Sequence, residues 1–143
     1  MVAVKEIMHG TTCVSSLVTV LEVAQLMSRR NIGSVLVECE GVVCGILTER
    51  DLMTRVVARA ADPQQSRAGD IMTQLKFTID ENANIFEASS VFQEHNIRRL
   101  PVTRAGKIVG IITARDVARS MPYAISARMT RMHTADKSQQ IDY

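Results

Sequence analysis

The stretch Gly45-Ile46-Leu47-Thr48-Glu49-Arg50-Asp51 returns sixty-five residues later as Gly110-Ile111-Ile112-Thr113-Ala114-Arg115-Asp116. Working outward, Glu22 to Asp51 superposes on Glu87 to Asp116 at the same offset. Identical pairs include Glu22/Glu87, Asn31/Asn96, Ile32/Ile97, Val37/Val102, Gly41/Gly106, Gly45/Gly110, Thr48/Thr113 and Asp51/Asp116. Average residue usage gives about two matches by chance in such a window. Further upstream Ile7-Met8 matches Ile71-Met72, one residue out of step, so a loop differs in length between the copies. Self-similarity at a fixed period marks a repeat architecture.

Each copy predicts the same elements. A short strand opens it, Cys13-Val14 in one and Phe77-Thr78-Ile79 in the other. Thr19 with Glu22, and Asn84 with Glu87, have the spacing of a capping box, in which a side-chain oxygen takes an orphan amide and a carboxylate reaches back. Val20, Val23, Ala24 and Met27, like Ile85, Ala88, Ser89 and Phe92, then follow helical spacing. Asn31 and Asn96 stop these helices, because Asn tolerates the left-handed conformation. Two apolar strands follow around Glu40-Gly41 (Ser34 to Cys39, Val42 to Thr48) and around Ala105-Gly106 (Arg99 to Thr103, Lys107 to Thr113). Gly in the turn permits positive φ. A second helix runs from Glu49 to Arg59 and from Ala114 to about Met121. The fold expected is α/β (α+β), two β-α-β-β-α repeats: Val4 to Arg59, a polar linker Ala60 to Arg67, Ala68 to Pro122, and a tail 123–143. A unit of about 55 residues buries little surface alone. The copies are therefore expected to pack sheet to sheet with approximate two-fold symmetry, leaving clefts between them suited to ligands.

Bulk properties narrow the function. The chain has 143 residues, 46% hydrophobic and 22% charged, with a formal net charge of +2. That charge exerts little long-range pull on nucleic acid or membrane. No apolar run approaches the roughly 18 residues that span a bilayer. The N-terminus lacks a secretory pattern, and a cytoplasmic location is expected. Cys13, Cys39 and Cys44 are odd in number and not in pairs two apart, so they read as buried or indifferent thiols. His9 with Cys13 is the one metal-like spacing, and it has no second pair; no metal is expected.

The junction motif carries the chemistry. Gly lets a ligand or another backbone approach the strand closely. Thr caps the second helix, where free amides favour an anion. Asp lies within the first turn, and a carboxylate accepting from two vicinal hydroxyls suits a ribose. The plain alternative is a purely structural cap. Such a cap requires neither the Gly nor the Arg retained in both copies.

With Asn-Ile before the hairpin, Leu100-Pro101-Val102 and tandem repetition, the two copies resemble cystathionine β-synthase (CBS) domains, and the pair resembles a Bateman module. The resemblance spans roughly Val4 to Pro122. It implies binding of AMP, ADP or ATP, or alternatively S-adenosylmethionine, with Asp on the ribose and Thr at phosphate. It also implies that each cleft borrows the first strand of the other repeat. By position, one cleft would use Gly45, Ile46, Thr48, Asp51, Ser34 and Val35, with Lys76, Phe77, Thr78 and Ile79 borrowed. The other would use Gly110, Ile111, Thr113, Arg115, Asp116, Arg99, Leu100 and Pro101, with Thr12, Cys13 and Val14 borrowed. Arg98 and Arg99, adjacent in a strand, would face opposite sides and serve the phosphates of the two clefts separately. Since copy one has Gly33-Ser34 in their place, the Asp116 cleft is expected to bind a phosphorylated nucleotide more tightly.

No nucleophile and base pair stands out, and only His9, His95 and His133 are available; catalysis is not expected. No cofactor is required by this reading. The expected partners are an adenosine nucleotide, a second copy of the chain and an effector protein, since no effector domain is attached. Met121, Ile125, Met129 and Met132 predict a docked tail helix; the Arg residues nearby, without aromatic stacking residues, argue against nucleic acid. The competing reading is a ligand-free scaffold that only dimerises or holds a partner.

Overall fold

A computed structural model describes residues 2–121 of the chain, and the expected tail helix lies outside the described residues. The first copy contains β1 (Cys13–Ser15), α1 (Val20–Arg30), β2 (Ser34–Cys39), β3 (Val42–Thr48) and α2 (Glu49–Leu52), followed by a π-helical turn, Met53–Val57. After the linker come α3 (Ala68–Ile71) and β4 (Thr73–Gln74). The second copy then supplies β5 (Ile79–Asp80), α4 (Ile85–His95), β6 (Arg99–Arg104), β7 (Lys107–Thr113) and α5 (Ala114–Ser120). The fold is mixed α/β with two sheets, β1-β2-β3-β4 and β5-β6-β7.

The predicted local signals act where they were placed. Asn31 and Asn96 end α1 and α4 in the left-handed region, at φ 52° and 53°. Both hairpins turn on paired positive-φ residues, Glu40-Gly41 and Ala105-Gly106, which match the right-handed twist of the flanking strands. The Asn84 box closes in both directions, and Thr19 accepts the Glu22 amide. The second helix of copy two runs Ala114–Ser120, close to expectation, whereas that of copy one is shorter than expected. In copy one the helix gives way after Leu52 to the π-helical turn, which carries it only as far as Val57.

The described residues divide into two compact units, Thr11–Lys76, and 2–10 with 77–121. The units therefore do not coincide with the two stretches of sequence repeat. In the second unit, residues 2–9 pack on the second copy: Ile85 N donates to Val2 O, Val4 N to Ala83 O and Lys5 N to Glu81 O. In the first unit, residues 66–73 do the same for the first copy: Val20 N donates to Ser66 O, Ala68 N to Val18 O and Gly69 N to Ser16 O. The stretch upstream of Ile-Met thus satisfies the helix-start amides that the helix cannot satisfy itself. The linker is not a loose connector, since Leu21 N also donates to Pro63 O.

Each unit has its own core. In the first, Val20, Val23 and Met27 from α1 pack with Val35, Val37, Leu47, Val56 and Ile71. In the second, Val4, Ile85, Phe92, Leu100, Val102, Ile112 and Val117 are buried. At about 25 cal/mol per Å² of apolar surface, each such side chain contributes on the order of 2 kcal/mol.

The cysteines depart from expectation. Cys39 and Cys44 are joined by a disulfide across the β2–β3 hairpin. The cause is local: the ladder slips between Val37 and Glu38, pairing Val37 with Gly45 and Glu38 with Val43, so Cys44 is the extra residue of a bulge. A bulge re-aims its side chain, here toward Cys39. Cys13 is a free, exposed thiol.

Candidate functional site

The junction is built twice, once within each unit. At the end of β3, Thr48 N and Oγ1 donate to Asp51 Oδ2 at 2.9 and 3.2 Å, and Asp51 N returns a bond to Thr48 Oγ1. At the end of β7, Thr113 N and Oγ1 donate to Asp116 Oδ2 at 2.9 and 2.7 Å, and Asp116 N returns a bond to Thr113 Oγ1. The structural cap is therefore present in full. Its first helical amides are also taken, Glu49 N by Gly33 O and Ala114 N by Arg98 O. The helix starts offer an anion less than the sequence implied. What the cap leaves over is the second carboxylate oxygen, Oδ1, held in a fixed place by the first.

The segment after Ile-Met reaches that oxygen. In the first unit β4 pairs antiparallel with β3, Gly45 opposite Gln74 and Ile46 opposite Thr73, and Thr73 Oγ1 lies 3.5 Å from Asp51 Oδ1. In the second unit His9 and Ile111 exchange both backbone bonds, and His9 Nε2 lies 2.8 Å from Asp116 Oδ1. The junction glycines explain the approach. A Cβ on Gly45 would collide with the Met72 sulfur and lie 2.9 Å from Thr73 O; one on Gly110 would lie 2.7 Å from the Met8 sulfur and 2.9 Å from His9 O. Of the two roles considered for the glycine, admitting a backbone is the one seen.

The electrostatics differ between the copies. Asp51 is buried, and Arg55 Nε stands 3.7 Å from its Oδ1. Arg55 Nη1 also donates to Ile71 O and Met72 O, tying the segment before β4 to the helix. At the matching place copy two has Ser120, bonded back to Asp116 O. Burial works to raise the Asp116 pKa, but hydrogen bonds from His9 and Thr113 outweigh it and hold the carboxyl below its ordinary value.

The remaining expected residues distribute as follows. Ser34 pairs with Thr48, Val35 with Leu47, and Leu36 with Ile46. Arg99 pairs with Thr113, Leu100 with Ile112, and Pro101 with Ile111. These residues share a unit with their junction. Arg115, like Arg50, is exposed on its short helix. Arg98 sits in a bend before β6 rather than within the strand, so strand alternation does not orient it. The segments laid against the junctions within each unit are distinct from the strands expected to be borrowed. The segment hydrogen-bonded beside Gly45 is Thr73 to Leu75, followed by Lys76, while Phe77, Thr78 and Ile79 belong to the other unit, where Ile79 pairs with Val102. Beside Gly110 lie Met8 and His9; Thr12, Cys13 and Val14 belong to the unit of Asp51, with Cys13 and Val14 in β1 beside β2. Within each unit the edge of β3 and of β7 is filled by the residues just after Ile-Met. Sequence reading missed Arg55 and His9. Aligning the leading segments pairs His9 with Thr73 and was the available signal; Arg55 has no counterpart in copy two to draw notice.

Two tandem copies of one α/β unit, each ending a hairpin in the same Gly-Thr-Asp junction, define a class of paired repeat modules. A family model described as CBS domain matches residues 4–58 and 68–123, and the chain belongs to that family. Tandem CBS pairs are typically regulatory modules. Among its relatives is Hypoxic response protein 1 of Mycobacterium tuberculosis, 35% identical over 125 residues, covering 85% of this chain and 87% of the relative. The crystal structure of that Hypoxic Response Protein I, with two coordinated zinc ions, matches with a TM-score of 0.71 at 33% identity, over 85% of this chain and all of that one. A protein with CBS domains from Burkholderia ambifaria matches with a TM-score of 0.71 at 29% identity, over 80% and 83% of the two chains. A hexameric CBS-CP12 protein from bloom-forming cyanobacteria shares the fold, with a TM-score of 0.77 at 24% identity over 87% and 74%. Among the described residues no helix is long and apolar enough to cross a membrane.

Proposed function

We propose that this chain is a non-catalytic sensor that binds an adenosine nucleotide (AMP, ADP or ATP) at its junction carboxylates and signals to a partner protein. One observation carries the reading: in both copies the Thr cap immobilises Oδ2 of the Asp and leaves Oδ1 as a pre-positioned acceptor beside an apolar strand. A carboxylate so held is suited to a ribose diol. Arg99, paired with Thr113 in the sheet, and Arg55, 3.7 Å from Asp51, bring an arginine to each junction, which favours a phosphorylated ligand over S-adenosylmethionine. The reading places the chain in the cytoplasm, where thiol buffers would hold Cys39 and Cys44 as a dithiol. Exposed Leu17, Met53 and Val57 on the first unit supply apolar surface for a second copy of the chain.

Thermal denaturation with each ligand at millimolar concentration tests the reading. A ligand that binds only the native state raises the melting temperature, by about 2.7 kcal/mol of stability at a hundred times its Kd. AMP, ADP or ATP should do so, and Asp116→Ala with Asp51→Ala should abolish the shift. A melting curve indifferent to all of them, in a chain that still dimerises by light scattering, favours the ligand-free scaffold instead.

A further inference from the structure

The geometry points to His9 as an internal competitor for the ligand at Asp116, so that the two junctions are gated differently by the residue that follows Ile-Met. The inference rests on the ribose-binding reading above and adds what a ligand must displace. A carboxylate has about four acceptor positions, two on each oxygen. Asp116 Oδ2 already accepts from Thr113 N and Thr113 Oγ1. Oδ1 is bonded to His9 Nε2 at 2.8 Å. Among the described residues one position remains, whereas a vicinal diol donating both hydroxyls requires two. His9 must therefore give way before the diol is fully held.

The structure lets it do so without disturbing the fold. The His9 backbone is fixed by its reciprocal bonds with Ile111. Its side chain is 62% exposed, against 13% for that of Asp116. Rotation about the side-chain bonds alone carries the ring into water. At the other junction the equivalent residue is Thr73, whose Oγ1 stands at 3.5 Å, the limit of a hydrogen bond, and whose hydroxyl can also accept from a ligand. The residue after Ile-Met thus makes a short bond to the carboxylate at Asp116 and a long one at Asp51, where Arg55 also stands by Oδ1. Exposed pairs of this kind favour the closed form only severalfold. Occupancy by His9 then weakens ligand binding about two- to sixfold, because apparent affinity scales with the competent fraction.

The test is calorimetric titration of AMP into the full chain and into His9→Ala, with His9→Thr as a second variant that copies the other junction. The His9 ring is followed by nuclear magnetic resonance in the same samples. Both variants should bind AMP about two- to sixfold more tightly at the site that Asp116→Ala removes. In the unsubstituted chain AMP should move the His9 ring signal to the position it takes in Asp116→Ala. Equal or weaker binding by both His9 variants, with the Asp116-dependent site intact, overturns the competitor role and leaves the ligand reading standing. No AMP bound by any of the proteins overturns the ligand reading and this inference with it.

Discussion

Replacing Gly110 with alanine would place a methyl group between β7 and the segment laid against it. The φ of Gly110 is not in the left-handed region, so alanine brings no backbone strain there. The new Cβ lies 2.7 Å from the Met8 sulfur, which a flexible side chain can concede, and 2.9 Å from His9 O, which is backbone. That carbonyl accepts from Ile111 N at 3.0 Å and cannot retreat without breaking the bond. Overpacking of this kind costs about 1–3 kcal/mol. For a chain of this length that lowers the melting temperature by roughly 3–9 °C. Gly10→Ala is the control, since a Cβ there meets nothing within 4 Å. Gly45→Ala should behave like Gly110→Ala, because Thr73 O plays the part of His9 O. The assay is thermal unfolding by circular dichroism without ligand. A Gly110→Ala protein that melts with Gly10→Ala would refute the claim that this glycine exists to admit the leading segment.

Three further outcomes follow from the same geometry. Because the folded-state pKa of Asp116 lies below its unfolded value, the carboxylate contributes stability above the unfolded pKa and loses it as pH falls through the folded one. The stability gap between the chain and Asp116→Asn should accordingly close in acid, and a gap that widens there contradicts the assignment. Thiol titration of the oxidised, denatured chain should find one reactive cysteine, rising to three on reduction; the ring closed over residues 39–44 is small, so reduction should cost at most about 2 kcal/mol. Arg55→Ala removes two bonds to the carbonyls of Ile71 and Met72, and should destabilise the first unit by about 1–3 kcal/mol in denaturant unfolding. A neutral result would show that β4 holds its place without the guanidinium.

Much of this was legible in the sequence because it depends on local rules. Asn31, Asn96, Gly41 and Gly106 fix backbone conformations that few other residues tolerate, so turns and helix ends could be placed from residue type alone. The Thr-Asp spacing likewise gave the cap. What the sequence hid depends on where segments travel. Ile7-Met8 and Ile71-Met72 were visible as a match, but not that each dipeptide shares a compact unit with the copy it does not precede in the repeat. That exchange brings Thr73 to Asp51, and brings His9, which spacing alone set beside Cys13, to Asp116. The disulfide was hidden for a similar reason: a one-residue bulge turns Cys44 toward Cys39, and residue spacing alone does not reveal a bulge. Arg55 drew no notice within a helix that was expected to run on to Arg59.

On the proposed function, the junction carboxylates hold the two hydroxyls of a ribose. Calorimetric titration with AMP and with its 2′,3′-dideoxy analogue, which keeps base and phosphate and removes only the diol, tests it most directly. AMP should bind with measurable heat, and the analogue should bind at least tenfold more weakly, since the loss of hydrogen bonds to a charged acceptor costs about 1.5–3 kcal/mol. Equal affinity for the two ligands, or AMP binding that survives Asp51→Ala and Asp116→Ala together, would contradict it.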